Sequence, residues 1–174
     1  TPDRASPAGI VTSVYRDSAE TQGAACFGPG TLLRLQDAAH KTGVPCPVEK
    51  VCLGDGVLVA GNKWGVVTRT YIMAYTGALA LFGHSTSVTT WHAVLKSVNQ
   101  WGWAGDCTTR RTKSHDGFVY NLDVTINGVL ESALALHEGY VMSTMGSFSP
   151  RCMAQKETSV LAEHIDGLPS YIRD

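Results

Sequence analysis

Short runs of β-branched, aromatic and aliphatic residues, each closed by Gly, Asp or Asn, recur along this chain at a spacing that suits strands and leaves little room for helices. The pattern predicts strands over residues 10–15, 31–35, 49–52, 56–60, 65–74, 79–82, 86–89, 93–98 and 118–126. Asn127-Gly128, between Val124-Thr125-Ile126 and Val129-Leu130, is the strongest hairpin signal, because both residues tolerate positive φ. One helical stretch stands out, residues 157–165, with Val160, Leu161 and Ile165 at helical spacing and Gly167 then Pro169 to stop it. Residues 1–25 are small and polar, with Pro2, Pro7, Gly9 and Gly23, and read as a flank. The expected fold class is all-β, with a short C-terminal helix. At 174 residues and 44% hydrophobic, the chain is long enough to bury one substantial core.

Charge excludes some functions. Fourteen basic residues nearly balance fifteen acidic ones, with no run of like sign, so no nucleic-acid or membrane partner is expected. The longest apolar run, residues 71–82, is broken by Thr76 and Gly77 and is too short to span a bilayer as a helix. No signal peptide is visible, and a start at Thr1 rather than Met is expected of a segment cut from a longer polypeptide. The five cysteines are odd in number and irregularly spaced, with Cys46 and Cys52 the nearest pair. That suits neither a disulfide framework nor a zinc site. Unpaired thiols in a reducing intracellular compartment are expected, most of them small buried groups, which leaves one with a task.

Two strings nominate that one. Cys26-Phe27-Gly28-Pro29-Gly30-Thr31-Leu32-Leu33 puts a cysteine ahead of a Gly-Thr strand start, and Thr89-Thr90-Trp91-His92 follows later. Together they resemble the Hint fold, the self-processing module of inteins and hedgehog proteins. The segment Val48-Glu49-Lys50-Val51-Cys52-Leu53-Gly54-Asp55-Gly56-Val57-Leu58 is similar to the Hint strand that runs into a Gly-Asp turn. Phe118-Val119-Tyr120-Asn121-Leu122-Asp123-Val124 is similar to the family's late strand, which packs beside the nucleophile. Thr89-Thr90-Trp91-His92-Ala93-Val94 and the tail over residues 161–171 most resemble the Vint type of Hint domain. The resemblance implies a horseshoe of short twisted antiparallel strands over residues 26–174, with residues 1–25 as an extein-like segment that is cleaved off. It implies that the chain's substrate is its own Ala25–Cys26 bond.

The chemistry needs these residue types. A free thiol with pKa near ~8.5 is only a few per cent thiolate at neutral pH. A thiol on the residue directly after the target carbonyl attacks intramolecularly, and good orientation of that kind is worth roughly 7–11 kcal/mol of barrier. The departing nitrogen must be protonated, for which His92 is the candidate, with Thr89 orienting the amide. The product is a thioester between Ala25 and Cys26, open to water, a thiol or an amine, and no metal or organic cofactor is implied.

The resemblance breaks at informative places. Inteins end in a His-Asn pair, whereas Leu136-His137-Glu138-Gly139, running on to Met142-Ser143-Thr144, holds no such Asn, so splicing is not expected. Asn121 stands where inteins often carry an acidic residue, and Asp123 is two positions on, facing the same side of the strand. His137 is a candidate second catalytic histidine and equally a structural one. His40, His84, His115 and His164 carry no functional signal, Asp55 reads as a turn residue, and Trp91, Trp101 and Trp103 read as packing. Two other readings remain open: a degenerate Hint domain that no longer cleaves and serves as a binding or scaffold module, and a Cys26–His92 hydrolase acting in trans.

Overall fold

The computed structural model describes residues 11–14, 25–97, 100–107 and 111–144, with residues 11–14, 97 and 100 as backbone only. The expected helix over 157–165 lies outside them. The described chain is almost entirely antiparallel sheet, with helix limited to two single 3-10 turns, Val48–Lys50 and Ala104–Asp106.

Two long strands form the spine. β5 (Lys63–Phe82) and β9 (Arg111–Ile126) pair antiparallel from Val66↔Thr125 to Leu81↔Arg111. Strands expected separately over 65–74 and 79–82 are therefore one strand. Thr76 and Gly77 do not break it, because β9 pairs with both directly, Thr76↔Asp116 and Gly77↔His115. Asn127 and Gly128, at φ 51° and 78°, turn β9 into β10 (Val129–Leu130), as the sequence pattern predicts.

The opposite edge of β5 is shared among three strands. β4 (Gly56–Val59) covers Lys63–Val66, β6 (Thr86–Thr89) covers Leu79–Phe82, and β1 (Val11–Val14) lies between them on Ile72–Ala74, the one parallel pairing in the described sheet. β2 (Leu32–Asp37) pairs with β4 and with β3 (His40–Pro47). Beyond β4 the sheet continues through β11 (Ala133–Ala135), β12 (Val141–Ser143), β7 (Ala93–Ser97) and β8 (Gln100–Trp103).

The differences from the sequence pattern have local causes. β3 carries Pro45 and Pro47 and reads as loop, yet it pairs only with β2, so its missing N–H groups face no second strand. The strand expected over 49–52 is instead a 3-10 turn: the Asp55 carboxylate accepts from Cys52 N at 2.7 Å and Glu49 reaches away to Gly30 N. The main core gathers Phe27, Leu33, Phe82, Val88, Leu134, Tyr140 and Met142. A smaller cluster, Cys26 with Met73, Tyr75, Leu79 and Val119, sits on the spine and holds the site.

Candidate functional site

The chain around Cys26 is threaded between β6 and β9. Phe27 N donates to Tyr120 O at 2.7 Å and Tyr120 N returns to Phe27 O at 2.8 Å, while Thr89 N donates to Cys26 O at 2.9 Å and Gly28 N to Ser87 O at 2.7 Å. The string after Cys26 follows from this crowding. A Cβ on Gly28 would lie 2.1 Å from Ser87 Oγ, so no side chain fits there. Gly30 adopts φ 84° and gives its N–H to the Glu49 carboxylate, and the Thr31 hydroxyl bonds both Ser87 O and Ser87 N.

The Ala25–Cys26 peptide is held at both ends. Cys26 N donates to Thr89 Oγ1 at 3.2 Å, and the Asn121 side-chain amide donates to Ala25 O. Asn121 is wholly buried, and its Oδ1 accepts from Leu122 N at 2.7 Å. A backbone N–H only donates, so that bond fixes the amide with its NH2 toward Ala25 O. Cys26, a free thiol with no exposed surface, rests its Sγ 3.7 Å from Met73 Sδ. Burial pushes its pKa up to about 12, so the resting thiol is far more firmly protonated than a free cysteine.

His92 reaches this place because residues 89–92 close a turn, His92 N donating to Thr89 O at 3.0 Å. Its ring is fully buried, 4.4 Å from the Phe27 ring, and Nε2 donates to Ser143 O at 2.7 Å. That bond puts the proton on Nε2 and leaves Nδ1 as a buried lone pair with no hydrogen-bond partner. Burial lowers the His92 pKa to about 4, opposed by the Ser143 carbonyl and the nearby Cys26 backbone, so the imidazole is neutral at neutral pH.

This has a measurable consequence for stability. The unfolded chain binds a proton on this histidine near ~6.5 and the folded chain only near 4. As pH falls through that window the unfolded state takes up the proton first, so stability present above ~6.5 drains away, to a limit of roughly 3 kcal/mol. His137, also lowered by burial, acts in the same direction. Glu138, held down to about 2 against its own burial by bonds from His84 N, Ser85 and Thr86, acts only at lower pH. Calorimetry between pH 7 and 4.5 is expected to show stability falling with pH in the wild type, and falling less steeply in His92→Gln than in His137→Gln. Parallel curves for wild type and His92→Gln would contradict the buried neutral imidazole.

The structure thus brings Ala25, Cys26, Thr89, His92 and Asn121 together. It does not bring in the other two candidates. Asp123 accepts from Tyr71 OH at 2.7 Å, and its only described link to the cluster is through Tyr71, which packs against it. His137 lies on the tight turn before β12, its N–H on Leu32 O and its ring under the influence of Arg34 and Glu138. In the Leu136–Gly139 string it is Glu138 that does structural work, binding the 84–86 loop. Sequence reasoning missed Ser143, whose carbonyl orients His92, and Met73, which backs the thiol. A carbonyl carries no side-chain signal, and Met73 looks like any apolar strand residue. Among the described residues no three His, Cys, Asp or Glu side chains cluster to hold a metal ion.

No protein-family model and no curated protein matches the sequence. Among solved structures, the chain is similar to a bacterial intein-like domain from Clostridium thermocellum, with a TM-score of 0.56 and 18% identity, over 70% of this chain and 99% of that one. The likeness does not extend to the Vint type, which the comparison leaves without support. The all-β sheet organised on the β5–β9 spine is an intein-like, Hint-type fold.

Proposed function

We propose that this is a self-processing domain that converts its own Ala25–Cys26 peptide bond to a thioester by N-to-S acyl shift and then frees residues 1–25 without splicing. The observation that carries the reading is the grip on that peptide: Thr89 on its N–H and Asn121 on its carbonyl, inside the core beside a neutral His92. Ordinary buried backbone has no need of two side chains from distant strands.

Protons balance in this scheme. As Sγ bonds to the Ala25 carbonyl carbon, the thiol proton passes to His92 Nδ1, and negative charge grows on Ala25 O, where the Asn121 N–H waits. The imidazolium then gives that proton to the Cys26 nitrogen as the C–N bond breaks, leaving a thioester and a free amine. A thiol, water or an amine then takes the acyl group. The Vint subtype within this reading rests only on the Thr89–Val94 and 161–171 strings.

A second reading, a non-cleaving module, is favoured by one observation: the thiol sits against Met73 with its pKa near 12. Incubation with dithiothreitol or hydroxylamine separates the two. The self-processing reading expects mass spectrometry to show time-dependent loss of residues 1–25 from the wild type, faster than in buffer, and an intact chain for Cys26→Ala. A wild-type chain that stays whole under strong thiol supports the non-cleaving module, and equal cleavage of Cys26→Ala removes Cys26 from the mechanism.

A further inference from the structure

β5 has two edges, and their occupancy is uneven. β9 runs along one edge from Val66 to Leu81. On the other, β4 ends at Val66 and β6 begins at Leu79, so the middle of the longest strand presents a row of backbone donors and acceptors that neither neighbour meets. Left bare, such an edge invites pairing with any extended chain. Here β1 lies on it, in parallel, with Val11 opposite Ile72, Ser13 opposite Met73 and Val14 opposite Ala74. Met73 is also the residue whose sulfur backs Cys26 Sγ. The chain preceding the Ala25–Cys26 bond is therefore bonded to the same three-residue stretch that walls the thiol.

We propose that the middle of β5 is a strand-docking slot through which the domain recognises the polypeptide it processes: the upstream segment adds to the sheet as an extended strand and thereby seats Ala25–Cys26 in the site. Recognition of this kind works through main-chain hydrogen bonds. The slot therefore takes an extended peptide with little demand on its side chains, and excludes proline where an N–H faces β5. Its role in processing rests on the self-processing reading above, whereas the docking itself does not.

The two are tested apart. In full-length Cys26→Ala, which has no nucleophile, hydrogen exchange is expected to show protected amides over residues 11–14. The double substitution Ser13→Pro with Val14→Pro removes adjacent N–H groups, at least one of which faces β5. It should abolish that protection and speed exchange over residues 71–75, whereas Ser13→Thr with Val14→Ile should keep both. Random-coil exchange over 11–14 in Cys26→Ala would overturn the slot whether or not the chain cleaves. With Cys26 present, the proline pair should slow thiol-induced cleavage roughly 10-fold through lost positioning, and the Thr/Ile pair should not. An unchanged rate beside lost protection would reduce β1 to a passive edge cover and overturn its role in recognition.

Discussion

Replacing His92 with alanine is expected to stop the acyl shift itself, so that added thiol does not rescue cleavage at Ala25–Cys26. The thiol it must deprotonate is held near pKa 12, and the amide nitrogen it must protonate cannot leave as an anion. One neutral imidazole meets both needs in succession, because the Ser143 carbonyl holds the proton on Nε2 and leaves the Nδ1 lone pair open. Acid–base help of this kind is worth ~10²–10⁴ in rate, enough to remove a slow single-turnover reaction from view. His137→Ala should leave the thiol-induced reaction largely intact, since its N–H bonds Leu32 O and the charges acting on its ring are those of Arg34 and Glu138. A role for His137 after the thioester forms would show as slower spontaneous release alone. Both variants would be followed by mass spectrometry with and without thiol, after circular dichroism shows each folded. His92→Gln serves if the alanine variant is not. Thiol-rescued cleavage in a folded His92 variant would place this histidine after the acyl shift and contradict its role as proton shuttle.

The site was legible in the sequence where its geometry is local. Thr89 and His92 share one turn, so their spacing alone announces two side chains arriving together. Cys26 was legible through the glycines after it, because Gly28 lies under Ser87 and Gly30 needs positive φ, constraints that leave a mark in residue type. Asn121 was visible as a position but not as a donor. Its direction is set by Leu122 N on one side and by the seating of Ala25 on the other, which depends on pairing across β6, β9 and the Cys26 segment. The same holds for the fold. The Asn127-Gly128 hairpin is chemistry of two adjacent residues, whereas the unbroken β5 exists because β9 lies beside it, a partner that Thr76-Gly77 cannot announce. Short strands such as β11 and β12 pair with each other locally but are tied into the sheet by β4 and β7, distant in sequence, and their three residues each are too few to show a period.

Asn121→Asp tests the proposal at the atom where charge develops. The substitution keeps the shape of the side chain, and Oδ1 can still accept from Leu122 N, so the local fold has no steric reason to change. What changes is the group facing Ala25 O: a fixed N–H donor becomes a carboxyl oxygen. Ionised, it repels the oxyanion and loses the stabilisation that one preorganised donor supplies, ~10²–10³ in rate. Protonated, it donates to the carbonyl as the amide did. Burial without a cationic partner raises a carboxyl pKa. The variant is therefore expected to be slow at neutral pH and to regain rate relative to the wild type as the medium is made mildly acidic. Asn121→Leu, which can never donate, should be slow at every pH and less stable, since it strands Leu122 N and Ala25 O unpaired at about 1–3 kcal/mol each. The measurement is the thiol-induced loss of residues 1–25 across pH 5–8 for the three proteins, each ratioed to the wild type at the same pH. A neutral-pH rate for Asn121→Asp equal to that of the wild type would show that no donor is needed at Ala25 O. Asn121 would then be a packing residue, and the stabilisation of the tetrahedral intermediate would have to come from elsewhere in the site.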